Sequence, residues 1–382
     1  MFEKEISFIK SLFDKENIPL HEPCFVGNEK KYLNECIDSG FVSSVGKFVG
    51  EFEEKISKLC QSKFAVATNS GTSALHIALL ANEVGENDEV ITQSISFVAT
   101  ANAIAYTGAK PIFLDIDEQS LSLSPKALKK FLQEQSYIKD KKCFNKNTHK
   151  QIKACVPMHT FGLGAKIEEL KALCEENFII LIEDAAEALG SFYKEKALGS
   201  FGKCGILSFN GNKTITGGCG GVILSDDESL AKKARHLSTT AKIPHPYEYI
   251  HDEVGYNYRL CNVNAAILVA QLENLELFLK DKRELAGLYK DFFKGSENFK
   301  FIDEMPETRS NFWLNAVLLK DEQARENFIK ECLGNNIFVR GAWKSLPSLK
   351  PFENCFKDEL INTQRLERRI VNLPSSVRIR KI

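Results

Sequence analysis

Leu207-Ser208-Phe209-Asn210-Gly211-Asn212-Lys213-Thr214-Ile215-Thr216-Gly217-Gly218-Cys219-Gly220-Gly221 is the stretch from which the rest of the chain is best read. One lysine, Lys213, stands between a short apolar strand and a five-residue run that contains four glycines. Ser208 lies five positions before it. This setting suits an amine that must approach a planar ligand while the backbone folds closely around it.

Working outward, short apolar runs alternate with helical patterns. Phe52 to Leu59 has helical spacing, and Phe64 to Thr68 reads as a buried strand. Asn69-Ser70-Gly71 breaks that strand, and a helix follows from Thr72 to Leu80. The cadence returns with a strand at Glu89–Thr92, a helix at Val98–Tyr106 and a strand at Pro111–Asp115. Ser124-Pro125 opens a helix to about Gln133, with serine as cap and proline at the first helical position. A strand at Ile152–Val156, a helix at Ile167–Cys174 and a very apolar strand at Phe178–Ile182 complete the run. Alternation at this spacing predicts a mostly parallel sheet covered on both faces. Residues 138–150, rich in lysine and asparagine, read as a solvated insertion, because they lack the aromatics of a nucleic-acid patch. Past residue 250 the rhythm changes. A long helix-compatible stretch, Val263–Leu288, leads into an α+β layer with Phe312–Leu319, a helix near Asp321–Leu333 and Ile337–Val339. The expected division is a large domain over 1–250 and a small one over 251–382.

Bulk composition excludes several classes. The 382 residues are 43% hydrophobic and 26% charged with a net charge of -1, so no global field favours nucleic acid or an acidic membrane. Eleven cysteines without C-x-x-C or Cys/His spacing read as reduced thiols, not as a metal site or a disulfide framework. No apolar stretch approaches the roughly 20 residues that span a bilayer, and the N-terminus does not read as a signal peptide. The expectation is a cytoplasmic protein.

In open parallel sheets ligands bind beyond the carboxyl ends of the strands. Four features fall there. Ser70-Gly71-Thr72-Ser73 opens a helix and suits an anion. Glu183-Asp184 ends the most apolar strand, where an acid is either a cap or a functional carboxylate. Phe97 could stack on a flat ring. Lys213 is the fourth. Together they match the needs of pyridoxal 5′-phosphate (PLP): an anion site for its phosphate, a carboxylate for its pyridine nitrogen and a lysine for its aldehyde.

At these residues the chain resembles the DegT/DnrJ/EryC1/StrS family of PLP-dependent nucleotide-sugar aminotransferases, over nearly its whole length. The match runs from Gly40–Gly46 through Asn69–Leu75, Phe97–Ala103, Glu183–Ala188 and Ser208–Lys213 to Gly255–Arg259 and Leu373–Ser376. The resemblance implies the aspartate aminotransferase-like fold (PLP fold type I), with a mostly parallel seven-stranded sheet in the large domain and a smaller α+β C-terminal domain. It implies that Lys213 bonds the cofactor and shuttles the proton, that Asp184 pairs with the pyridine nitrogen and that Phe97 stacks on the ring. Gly71 and Thr72 amides and the Ser208 hydroxyl would bind the phosphate. Asn257 would reach the neighbouring subunit's cofactor in a homodimer. Glu187 stands where the family commonly has Gln or His facing the ring hydroxyl, and Cys219 stands where an acid is common. Ser43, His159, Arg259 and Arg340 are the candidate substrate contacts.

The implied reaction moves an amino group from L-glutamate, which leaves as 2-oxoglutarate, to a nucleotide-linked 4-keto-6-deoxy sugar. The texture around Asp184–Ser191 and His21-Glu22-Pro23 resembles the branch of legionaminic acid biosynthesis, which aminates C4 of a 2-acetamido sugar, UDP- or GDP-linked. Sugar-dehydrating members carry histidine in place of the lysine. A non-catalytic regulatory protein with this fold would need an added DNA-binding module or a lost lysine, and residues 1–40 are too few for such a module.

Overall fold

The computed structural model describes residues 2–379. Seven strands form the heart of the large domain: β1 (Phe64–Thr68), β2 (Asp88–Gln93), β3 (Lys110–Leu114), β4 (Gln151–Val156), β5 (Ile180–Asp184), β6 (Cys204–Ser208) and β7 (Gly221–Ser225). Their spatial order is β1-β7-β6-β5-β4-β2-β3. Only β7 runs against its neighbours; the remaining pairs are parallel. The carboxyl ends of β1, β2, β4, β5 and β6 therefore share one edge of the sheet, and the loops leaving that edge converge.

Both faces are covered, as continuous apolar strands require. One face packs under Phe52 and Ile56 of helix Lys47–Leu59, Leu170 of helix Ile167–Glu176 and Leu268 of helix Asn262–Leu272. The other takes Leu75 and Leu79 of helix Gly71–Ala81, Ile104 of helix Val98–Tyr106 and Leu237 of helix Glu228–Ser238. The Ser124 cap forms as expected, its side chain accepting from the Ala127 amide with Pro125 in the first turn.

The structure departs from the sequence reading in four places. Residues 138–150 are mostly exposed, as a solvated insertion should be, but they are not all loop. Strands Ser136–Lys139 and Lys142–Asn145 form a hairpin that joins the edge of β4, with Cys143 and Asn145 buried. The alternation of lysines with Ile138, Cys143 and Phe144 is an edge-strand pattern whose charges face solvent. The stretch Val263–Leu288 is two helices, Asn262–Leu272 and Leu275–Phe293, broken at Glu273-Asn274. Ile337–Val339 is extended chain ahead of the two-residue strand Arg340–Gly341, held to Ile18 by a single bridge at Ile337. Within 312–319 only Asn315–Leu319 is strand; Phe312 before it is left-handed, at φ 45°.

Packing also crosses the 250/251 line in both directions. Helix Asn262–Leu272 lies in the core of the large domain. Conversely, Phe2, Ile6, Ile9 and Ile18 pack with Leu285, Tyr289, Phe328 and Val371 in the core of the small domain. That domain is built on an antiparallel sheet in which strand Ile370–Leu373 lies between Asn315–Leu319 and Arg340–Gly341. All eleven cysteines are free thiols. Among the described residues no helix is long and apolar enough to cross a membrane.

Candidate active site

A cavity of about 580 Å³ opens where the carboxyl edge of the large sheet meets the small domain. Gly71, Thr72, Phe97, Asp184, Glu187, Ser208, Lys213 and Arg340 all line it, as do Trp313, Trp343 and Asn372 from the small domain.

The helix that starts at Gly71 aims its amino end at this cavity. The Ser70 side chain caps the Ser73 amide at 3.0 Å. Helix geometry gives the amides of Gly71 and Thr72 no intrahelical partner, so they remain for a ligand. Gly71 cannot be larger: a Cβ there would come within 2.7 Å of Ser208 Cβ. Gly221, the last glycine of the decisive stretch, lies against the Ser70 carbonyl, which a Cβ would meet at 2.3 Å. The glycine run thus lets β7 close on the loop that presents the anion site.

Strand alternation sends Glu183 and Asp184 to opposite sides. Glu183 is fully buried and accepts from the amides of Gly199, Phe201 and Gly202 and from His159 Nε2 at 3.0 Å. Asp184 faces the cavity. Its Oδ2 accepts from Thr100 Oγ1 at 2.7 Å and its Oδ1 from the Ala186 amide. Burial raises the Asp184 carboxyl above its ordinary range, while the Thr100 and Ala186 hydrogen bonds and the Lys213 charge pull it partly back. A ligand cation would complete that compensation.

Lys213 follows β6 in a tight turn, its amide donating to the Asn210 carbonyl. Its Nζ lies 3.2 Å from Glu187 Oε1 and 4.1 Å from the centroid of Trp313. Glu187 also accepts from the Phe161 amide through Oε2 at 2.9 Å. Burial drives the Glu187 carboxyl upward, against the nearby Lys213 charge and the Phe161 amide, to about 7. Asn311 fixes this corner. Its Nδ2 donates to the carbonyls of Glu187 and Leu189, and its Oδ1 accepts from the Trp313 amide. Trp313 Nε1 in turn donates to the Asn212 carbonyl beside the lysine. Behind Trp313, the fully buried Lys282 donates to the Trp313 and Ser375 carbonyls.

Three of the four candidate substrate contacts fall elsewhere. His159 is completely buried between Glu183 and the Ala165 amide, which donates to its Nδ1. Its ring supports the strand mouth and does not reach the cavity. Arg259 is spent on Glu53, at 2.6 Å, and on the Ala67 carbonyl. Burial raises Glu53, but Arg259 and Arg235 hold its carboxyl below the ordinary range. Ser43 lies in an exposed loop, its carbonyl accepting from the Asn262 amide. Arg340 alone of the four lines the cavity. Asn257 is exposed and lies outside its own chain's cavity. Trp313, Trp343 and Asn372 had no signal in the sequence, because aromatics and amides of a distant sheet look like core or loop until the domains close.

The family model described as the DegT/DnrJ/EryC1/StrS aminotransferase family matches residues 23–381. The chain belongs to the DegT/DnrJ/EryC1/StrS aminotransferase family. It is 34% identical over 358 residues to a GDP-perosamine synthase of Escherichia coli O157:H7, covering 94% of this chain and 93% of that one. It is 37% identical over 338 residues to EpsN of Bacillus subtilis (strain 168), provisionally assigned as a pyridoxal phosphate-dependent aminotransferase, covering 88% and 84% of the two chains. The solved structure of Helicobacter pylori PseC, an aminotransferase of pseudoaminic acid biosynthesis, superposes with a TM-score of 0.84 at 24% identity, covering 94% and 93%. Membership fixes the fold as PLP fold type I, the activity as amino transfer and the cofactor as PLP. The residues present suit that cofactor. The cavity offers an anion cradle that only glycine permits at 71, a buried acid with room for a cation, and a lysine between them.

Proposed function

We propose that this DegT-family enzyme moves an amino group from L-glutamate to C4 of a nucleotide-linked 4-keto-6-deoxy-2-acetamido sugar, UDP- or GDP-linked, in a route to legionaminic acid-type surface glycans. The observation that carries amino transfer is Lys213 itself. A lysine, not a histidine, points into the cavity with a buried acid partner at 3.2 Å. The GDP-perosamine synthases of Escherichia coli and Vibrio cholerae match 94% of the chain at 34% and 35% identity, which supports a nucleotide-linked sugar as acceptor.

Bound PLP supplies an electron sink at the reacting carbon. The protein does the rest. Thr72 and Gly71 amides with the Ser208 hydroxyl hold the phosphate, and the helix dipole favours that charge. Asp184, fixed through Thr100 and Ala186, keeps the ring nitrogen protonated. Phe97, half-exposed at the cavity wall, covers one face of the ring. Lys213 Nζ takes the proton from the substrate carbon of glutamate and delivers one to the sugar carbon. To act as a base the amine must be neutral, and Glu187, with a carboxyl near 7, accepts and returns its proton within hydrogen-bond reach. Arg340 meets the diphosphate. Asn257, exposed and outside its own cavity, reaches the cofactor of a second subunit in a cytoplasmic homodimer.

The test is a panel of UDP-, GDP- and dTDP-linked 4-keto sugars incubated with the enzyme and glutamate, with the product carbon located by NMR. Amination of a 2-acetamido-4-keto sugar at C4 is expected. Turnover restricted to sugars without the acetamido group, or amination at another carbon, refutes the proposal.

A further inference from the structure

We propose that Asn372 is the residue that recognises the acetamido group of the sugar; this rests on the nucleotide-sugar reading above. Asn372 sits on the middle strand of the small-domain sheet, directly opposite Arg340 on the neighbouring antiparallel strand. Both line the cavity. Asn372 is 4% exposed, and its side-chain Oδ1 is buried with no hydrogen-bond partner among the described residues. Nearby amides behave differently. Asn311 uses Nδ2 and Oδ1 on backbone groups, while Asn315, whose Oδ1 is also unpaired, donates through Nδ2 to Ser375 Oγ and does not line the cavity. Buried amides are ordinarily paired, because an unmade hydrogen bond leaves the desolvation penalty uncompensated. An unpaired amide oxygen on a residue of the cavity wall therefore points to a donor on the ligand.

The chemistry of that partner follows from the neighbour. Arg340 is exposed at the cavity and carries only donors, which suits a diphosphate. Directly opposed residues of an antiparallel pair place their Cβ atoms roughly 5 Å apart on one face of the sheet. In a nucleotide sugar the diphosphate is on C1, so the group one cross-strand step away is the substituent on C2. A planar carboxamide offers one acceptor and two donors, the complement of the N–H and C=O of an acetamido group. A hydroxyl at C2 would satisfy only part of it.

The test is calorimetric binding of unreactive nucleotide sugars to the PLP-loaded enzyme. The probes are UDP-N-acetylglucosamine against UDP-glucose, and the corresponding GDP-linked pair. Wild-type protein is expected to bind the acetamido sugar about 10-fold or more tightly than the hydroxy sugar, the scale of one buried hydrogen-bond pair. Asn372→Leu should erase that preference, whereas Arg340→Ala should weaken both sugars by a similar factor and keep it. Circular dichroism and the near-visible cofactor band check that each variant is folded and loaded. An undiminished preference in Asn372→Leu, equal loss on both sugars, or no preference in the wild type overturns the assignment. If the wild type binds none of the four and the keto-sugar panel gives no product, the nucleotide-sugar reading itself fails and the assignment falls with it.

Discussion

Replacing Glu187 by glutamine should stabilise the protein freed of PLP, and only above a defined pH. Glu187 is 3% exposed, and burial lifts its carboxyl from the ordinary 4.5 to about 7 against the opposing pull of Lys213. The groups facing it are Lys213, the Phe161 amide and, through space, Asp184. Below about pH 4.5 the acid is protonated in both folded and unfolded chains and contributes no pH-dependent term. Between about 4.5 and 7 the unfolded chain releases the proton while the folded one keeps it, so stability falls as pH rises. Above about 7 the penalty is complete. A difference of about 2.5 units at 1.36 kcal/mol each gives roughly 3 kcal/mol. Glutamine has no proton to lose and keeps one acceptor oxygen, enough for the Phe161 amide but not for Lys213 Nζ as well. Loss of the charge partner of Lys213 offsets part of the gain, so roughly 3 kcal/mol is an upper bound. Denaturant unfolding of the cofactor-stripped wild type and Glu187→Gln at half-unit steps from pH 5 to 8.5 measures it. The gap between the two curves should be smallest at pH 5 and widen progressively to a plateau above pH 7. A gap that is constant with pH, or that widens toward acid, refutes a raised Glu187.

Other substitutions test the remaining parts. Lys213→Ala should fold normally, show no near-visible cofactor band that glutamate bleaches, and lose amino transfer by at least about 10³-fold, measured as 2-oxoglutarate release. Gly71→Ala forces Ser208 aside and should weaken PLP binding about 10-fold in a fluorescence titration, with a loss of roughly 1–3 kcal/mol in the melt. Arg259 and Arg340 should separate cleanly. Arg259→Ala leaves the partly buried Glu53 carboxylate with Arg235 and the Ala67 amide alone and should destabilise by about 1–2 kcal/mol, whereas Arg340→Ala should leave the melting temperature in place and raise KM for the nucleotide sugar about 10-fold.

Much of the site lies in local patterns that the sequence carries openly. Ser70-Gly71-Thr72 after an apolar strand, an acid ending the most apolar strand, and a lysine ahead of a glycine run are each set by neighbouring residues, and the parallel sheet brings them to one edge whatever the rest of the chain does. Gly71 and Gly221 are glycines because backbone and Ser208 approach within contact distance there, a demand that leaves a mark on the sequence. Strand alternation likewise separates Asp184 from Glu183, although the sequence does not say that Glu183 will be satisfied by three loop amides.

Other features depend on which surfaces meet. His159 and Arg259 sit in conspicuous motifs, yet the fold spends them on Glu183 and Glu53, because buried carboxylates need partners more than an open cavity needs another cation. Trp313, Trp343 and Asn372 come to the cavity only when the small domain closes on the large one. The N-terminal helix packs into that small domain and helix Asn262–Leu272 into the large one, exchanges that no local composition announces. The sequence by itself determined the fold class, the cofactor and the lysine that lines the cavity, since each follows from short-range spacing on a periodic sheet. Tertiary structure decided the acid that lies beside that lysine, 26 residues before it, and the small-domain residues that line the cavity with it, because side-chain direction and burial, not sequence pattern, set which groups meet there.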